Sequence, residues 1–448
     1  ALAHSVCPYY LGQEMLRWSD VAVGDFNHFF DHGAAWHALT EANGWTVGLL
    51  VDEAHNLIER ARLMHSATLD PAAFQALRQS APAALKKPLE KLQRRWSALG
   101  KEQTQDHEVL PDVPGEFVAT LQGVCSDIGD HLAQHPQDAV DGPLQRWWFD
   151  ALHFLRVAES FGDHSLCDLT RASQARTHHP QLAIRNVVPG PLLAPRWATA
   201  HSATLFSATL APMDYVADLL GLPADTLRLD APSPFSADQL AVRIAPHIST
   251  RWADRLGSLD AVVQVIADQY AAEPGNYLAF FSSFDYLQQA LDRLQQHHRE
   301  LPVWTQSRGM SEPEREAFIA RFTEHGQGIG FAVLGGAFGE GIDLPGRRLI
   351  GAFIATLGLP QVNPVNEQLR ARLQARFGRG HDYAYLFPGL QKVVQAAGRV
   401  IRSEQDHGTV WLLDDRFART DVRRLLPAWW RVEVERDVPA ATSNRGTR

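Results

Sequence analysis

The chain has 448 residues with 45% hydrophobic and 21% charged residues, a soluble composition too long for one core and suited to two or three domains. No uncharged apolar run approaches the ~18 residues of a spanning helix, and three cysteines (Cys7, Cys125, Cys167) argue against a disulfide scaffold and for a reducing cytoplasm. The net charge of −9 is uneven: from Asp343 onward 17 Lys+Arg stand against 11 Asp+Glu, a surplus of 6 that leaves −15 for the rest.

The first residues, "ALAHSVCPYYLGQEM", lack the basic start and apolar core of a signal peptide, and lack an initiator Met. They read as a processed chain or a piece of something longer. "DVAVGDFNHFFD" alternates strand and helix signals, and "GLLVDEAHNLIERAR" (48–62) reads as a buried strand running into an amphipathic helix. Asp52 and Glu53 sit between the two. Acidic residues at a helix start complement its dipole, whereas adjacent carboxylates at a strand end can hold Mg²⁺ and orient a water for nucleotide hydrolysis. Locally the two readings weigh the same.

From about 57 to 185 apolar residues recur at three- and four-residue spacing, with no convincing strand between them. Cys125 and Cys167 fall in this helical segment without metal-ligand spacing and read as buried thiols. Strand-like runs return at "LAIRNVVP" and "ATLFSATLAP", and "LDAPSPFSADQL" reads as a linker. Then "GNYLAFFSS", "GIGFAVLGG", "RRLIGAFIA", "DYAYLF" and "GTVWLLDD" alternate with helical patterns, implying a parallel sheet covered on both faces. Ligands of such sheets bind beyond the strands' carboxyl ends.

Three further stretches carry chemistry. "FSATL" places Ser207 and Thr209 at a strand end, although Ser-Ala-Thr also makes a helix cap and recurs at 65–69. "VLGGAFGEGIDLPG" gathers Gly335, Gly336, Gly339 and Gly341 around Glu340 and Asp343, a density that lets backbone approach a ligand or swing. In "VVQAAGRVIRSEQD", Gln395, Arg399 and Arg402 follow a helical pattern with both arginines on one face. Such a pair suits a phosphate between them; surface pairing with Glu404 or Asp406 is the alternative. His28, His32 and His37 lack a completing ligand for metal, and Trp147–Trp148 and Trp429–Trp430 are either base-stacking platforms or core.

In order, "VDEAH", "FSATL", "FFSSFDYL", "GGAFGEGIDLPG" and "QAAGRVIR" resemble motifs II to VI of superfamily 2 helicases. "CPYY" with "DVAVGDFNHFFD", the helical insert, "APSPF" and "STRWADR" make the XPD/DinG-like iron–sulfur group the nearest match. The resemblance implies an α/β fold with two RecA-like motor domains, the first incomplete, and an all-helical Arch-like insertion. Residues 1–60 and 189–232 would belong to motor domain 1, 61–188 to the insertion and 233–448 to motor domain 2. It also implies an ATP-dependent, 5′–3′ DNA helicase of repair, a cytoplasmic monomer acting on single-stranded DNA and DNA junctions. An RNA helicase of DEAH type and a non-catalytic single-strand-binding module are the alternatives.

By the same resemblance Asp52 coordinates Mg²⁺ and Glu53 activates the water. His55 couples the nucleotide to Thr209 or a nearby group, and Gly341 and Asp343 face the nucleotide. Gln395, Arg399 and Arg402 reach the phosphates, and Cys7 is the last of four thiolates on a [4Fe–4S] cluster. The phosphate loop GxxxxGK[ST] is absent from the sequence, so the 448 residues by themselves are expected not to hydrolyse ATP.

Overall fold

The computed structural model describes residues 5–136, 142–171, 179–339 and 341–435, which divide between the units Ala1–Leu227 and Arg228–Arg448. Unit 1 runs α1 (Pro8–Leu16), α2 (Asn27–Phe30), α3 (Ala35–Asn43), β1 (Gly48–Val51), α4 (Leu57–Met64), β2 (Ala67–Leu69), α5 (Pro71–Ser80) and α6 (Lys86–Glu102). It continues with β3 (His107–Leu110), α7 (Gly115–Gln134), α8 (Pro143–Glu159), β4 (Ser165–Thr170), β5 (Gln181–Asn186), α9 (Gly190–Thr199), β6 (Ser202–Leu205) and α10 (Met213–Leu220). Strands β1 and β6 pair in parallel, Gly48 opposite Ser202 and Val51 opposite Leu205.

The segment between them is not all-helical as expected. It holds a four-stranded antiparallel sheet, ordered β2-β5-β4-β3, against which α5 to α8 pack. Leu92, Trp96, Ile128 and Phe154 are fully buried with Cys167, Leu182 and Ile184 in one core. Its strand β5 overlaps the strand-like run "LAIRNVVP", whereas β2 and β3 have only three and four residues. A short run of this kind carries little period of its own.

Unit 2 runs β7 (Leu240–Ile244), α11 (Leu259–Ala272), β8 (Asn276–Phe281), α12 (Phe284–His297), β9 (Val303–Thr305), α13 (Glu312–Ile319), β10 (Gly328–Val333) and β11 (Gly351–Ala355). Then come α14 (Pro364–Phe377), α15 (Phe387–Ala397), β12 (Gly408–Leu412), α16 (Thr420–Arg423) and β13 (Arg431–Val434). All pairings in its seven-stranded sheet, ordered β13-β7-β12-β11-β8-β10-β9, are parallel. Every residue of β8 and β11 is buried, as helices on both faces require. Side chains set the helix starts. Ser283 accepts from the Tyr286 N–H ahead of α12, Asn363 does so from Asn366 ahead of α14, and Ser311 with Glu314 closes a capping box on α13.

"DYAYLF" is helical, not the strand its apolar run suggests. Asp382–Leu386 forms a π-helical turn continuous with α15, with Tyr383 to Leu386 all buried. A continuous apolar run of five cannot distinguish a buried strand from a buried helix.

Candidate nucleotide site

In unit 1 the parallel register brings two loops side by side. The Phe206 N–H donates to the Val51 carbonyl at 3.0 Å, and the Ala54 N–H donates to the Phe206 carbonyl at 3.1 Å. Asp52 and Glu53 therefore lie in the turn that ends β1, ahead of a 3₁₀ turn at Ala54–Asn56, and not in the first turn of α4, where Glu59 is the acidic residue. Glu53 holds φ +46° and ψ +44°, a left-handed conformation that costs a non-glycine residue roughly 1 kcal/mol. The Asp52 Oδ1 accepts from the Glu53 N–H at 2.7 Å. Both acids are exposed, while His55 is buried at 6% exposure.

Ser207 joins these groups. Its hydroxyl donates to the Glu53 Oε2 at 3.1 Å, lies 2.7 Å from the His55 Nδ1, and accepts from the Thr209 N–H at 3.1 Å. A serine hydroxyl has one proton to give. With that proton on Glu53, the His55 Nδ1 must carry its own and donate to Ser207. The same Nδ1 lies 3.3 Å from the Glu53 carboxylate. Ser207 is thus one group at this strand end that His55 meets.

In unit 2 the glycine-rich loop follows β10, with left-handed φ of +77° at Gly335 and +76° at Gly341. A Cβ at Gly335 would lie 3.1 Å from the Lys392 side chain. Gln395 is half-buried on α15, but Arg399 and Arg402 do not project from a helix face. The helix ends at Ala397 with Gly398 as its C-cap, and both arginines lie in the turn beyond. They meet by folding back onto the glycine loop. Arg399 donates to the Ile342 carbonyl at 3.1 Å and reaches the Gly339 carbonyl at 3.4 Å, and Arg402 pairs with Asp343 at 2.8 Å. Glu340 lies outside the described residues.

Asp406 is no side-chain partner of Arg402. It accepts the backbone N–H groups of Arg402 and Ser403 at 2.7 and 2.8 Å and the Ser403 hydroxyl at 2.8 Å. Burial alone would raise its pKa; these hydrogen bonds outweigh it and hold the carboxyl below the ordinary range. Gln239 completes the support, its amide donating to the carbonyls of Ser403, Glu404 and Asp406 at 3.2, 3.1 and 3.0 Å. It lies at the end of the stretch that reads as linker, and nothing in its sequence neighbourhood signals this role.

Cys7 is exposed, and among the described residues no group of three or more His, Cys, Asp or Glu could hold a metal ion. One thiol does not fit a cubane cluster, which takes four thiolates, so the residues of this chain do not by themselves form that site. Burial pushes the Cys125 and Cys167 thiols up to about 12. His28 stacks on Trp36, His32 abuts the His65 ring and His37 hydrogen-bonds Thr199. Trp147 is buried and Trp148 donates to the Cys125 carbonyl. Trp430 is buried and Trp429 packs near Phe235. No helix among the described residues is long and apolar enough to cross a membrane.

Comparison with known proteins agrees with this architecture. Residues 266–433 match the family described as helicase C-terminal domain, and residues 1–73 match the DEAD_2 family. The bovine regulator of telomere elongation helicase 1 is 25% identical across 96% of this chain and 44% of its own length. The ATP-dependent DNA helicase XPD of Sulfolobus acidocaldarius is 22% identical, covering 93% of this chain and 73% of its own. The ATP-dependent helicase DinG of Mycobacterium tuberculosis is 27% identical over 59% of this chain and 41% of its own length. The chain thus spans less than half the length of the bovine and mycobacterial relatives. A solved XPD helicase shares the fold with a TM-score of 0.65 at 20% identity, over 97% of this chain and 76% of that one.

Proposed function

We propose that this chain, a member of the XPD/DinG-like group of superfamily 2 helicases, supplies two half-sites of an ATP-driven motor on single-stranded DNA. The observation that carries the proposal is the Glu53–Ser207–His55 network joining two parallel strand ends. It fixes a carboxylate at the edge where such sheets bind ligands.

In this reading Glu53 orients and deprotonates the attacking water, held in place by Ser207 and His55. Asp52, an exposed carboxylate, suits Mg²⁺, which keeps several waters and takes one or two carboxylates beside substrate phosphates; the ion would neutralise charge on the phosphates. Thr209, through its N–H on Ser207, carries a change at the strand end into the rest of unit 1. In unit 2 Arg399 and Arg402 supply guanidiniums to the phosphates, with Gln395 beside them. Gly341 and Asp343 shape the nucleotide side of the loop. The Arg402–Asp343 pair is partly exposed and worth little to folding, which leaves Arg402 able to exchange that partner for a phosphate. Residues 61–188 serve as the Arch-like insertion between the two parts of motor domain 1, 1–60 and 189–232, and residues 233–448 as motor domain 2. Cys7 serves as one thiolate of a [4Fe–4S] cluster whose other ligands lie outside these residues. A 5′–3′ polarity, a cytoplasmic monomer and action on DNA junctions in repair belong to the same proposal.

The GxxxxGK[ST] loop occurs nowhere in the sequence, so the proposal assigns ATP turnover to the gene product that carries this chain. The test is ATP hydrolysis by that product with single-stranded DNA, duplex DNA or single-stranded RNA added. Stimulation by single-stranded DNA above the others supports the reading. Equal or greater stimulation by RNA replaces it with an RNA helicase, and no hydrolysis under any condition reduces it to a binding module.

A further inference from the structure

Helix α14 is a poor packing element. Of its 14 residues only Leu373 is buried, and the loop before it, 361–364, is exposed, with Val362 80% exposed. A helix that is polar nearly all round gains little from a core. What it presents instead is charge: from Gln368 to His381 every charged residue is an arginine, in a chain of net charge −9. Arg370 is spoken for. It pairs with Glu367 at 2.9 Å, and the Tyr385 hydroxyl takes the other oxygen of that carboxylate at 2.7 Å. No acid on α14 remains for the others. Arg372 and Arg376, one turn apart and so on one helix face, are exposed, and Arg379 is exposed just beyond the Gly378 C-cap. None of the three forms an ion pair with the described residues.

Like charges four residues apart destabilise a helix by a few tenths of a kcal/mol. The helix dipole rewards a cation in the last turn, which accounts for Arg376 but leaves Arg372 at a cost. α14 also follows the carboxyl end of β11, the middle strand of the seven, on the edge where open α/β sheets take ligands. Guanidiniums spaced about 6 Å apart along a helix suit a polyanion better than a single phosphate.

We propose that Arg372, Arg376 and Arg379 form a track for the sugar–phosphate backbone of single-stranded DNA, independent of base sequence. The inference rests on the DNA-motor reading for its choice of polyanion. Each arginine neutralises one phosphate and releases counterion, so the track contributes a salt-dependent share of affinity.

The test is binding of the full 448-residue chain to fluorescent oligo-dT across a salt series, without nucleotide. Replacing all three residues (Arg372→Gln, Arg376→Gln, Arg379→Gln) is expected to lower the slope of log K against log salt by about 2, and each single replacement by about 0.7. Affinity at low salt should fall on the order of tenfold or more. The corresponding triple lysine variant keeps the slope. An unchanged slope in both the triple and the single glutamine variants overturns the proposal, as does a lysine variant as weak as the glutamine one. Loss of polyglutamate binding with oligo-dT binding intact assigns the face to an acidic protein and also overturns it. Absence of oligo-dT binding by the unaltered chain defeats this proposal together with the DNA-motor reading.

Discussion

The two parallel sheets hold the same kind of loop at their carboxyl ends on very different foundations. In unit 2 the central strands β8 and β11 are buried throughout. In unit 1, β1 and β6 form a pair in which Leu50 is 78% exposed and three of four β6 residues face solvent. Among the described residues the glycine and arginine loops thus stand on a core, whereas Asp52 and Glu53 are held by the hydrogen bonds from Phe206 to Val51 and from Ala54 to Phe206, with Ser207 bridging. Packing sets a loop's position through many weak contacts, and register sets it through a few directional ones. Disturbing either support should therefore have unequal consequences.

The largest effect is expected in the unit 2 core. Phe281 is fully buried and stacks on Phe331 at 5.3 Å. Phe281→Ala should cost roughly 3–5 kcal/mol, read as a lower urea midpoint. Within unit 1 the closest backbone approach is Gly221, at φ +64°, where a Cβ would meet the Gly190 carbonyl at 2.7 Å. Gly221→Ala should destabilise unit 1 by about 2 kcal/mol or more, from the left-handed backbone and the clash with the Gly190 backbone together, in the same measurement.

The next effect depends on pH. His65 is 2% exposed; burial, then the charges of His32 and Arg196, pushes its imidazole down to about 3. Its folded pKa lies below the unfolded value of about 6.5, so the unfolded chain takes up the proton first. Stability should be full above about pH 6.5 and fall by up to about 1.4 kcal/mol per pH unit as pH drops toward about 3. His65→Leu should flatten the dependence of the unit 1 urea midpoint between about pH 7 and about pH 5; an unaltered slope rules the assignment out. The smallest effect is Leu50→Ala, within about 0.5 kcal/mol because its side chain is already in water. A loss as large as that at Phe281 would show that the β1–β6 pair is packed after all, and would erase the contrast between the two sheets.

What could be read from the residues follows the same division. In unit 2 the apolar strands β8, β10, β11 and β12 announce themselves locally, whereas β7, which follows the linker-like stretch, and the short β9 and β13 do not. Of the antiparallel sheet in unit 1 only β5 shows in the sequence, as "LAIRNVVP", since β2 and β3 are too short to show a period. "DYAYLF" misled because burial on all sides erases period in helix and strand alike. At the site, "VDEAH" and "FSATL" predict two strand ends, and the tertiary structure supplies what spacing cannot, the hydrogen bond between His55 and Ser207. Arg399 and Arg402 do not share the helix face that their spacing predicts. Gly398 ends the helix before them, and the support from Asp406 and Gln239 is tertiary, invisible in the local sequence.

The most direct test of the account is Glu53→Gln in the gene product that carries this chain. The substitution keeps size and hydrogen-bonding reach for Ser207 and removes the base. DNA-stimulated ATP turnover should fall by about 10²–10⁴-fold while binding of single-stranded DNA stays unchanged. Turnover at the unaltered rate would contradict the account, because the Glu53–Ser207–His55 network would then be a structural clasp and no part of the chemistry.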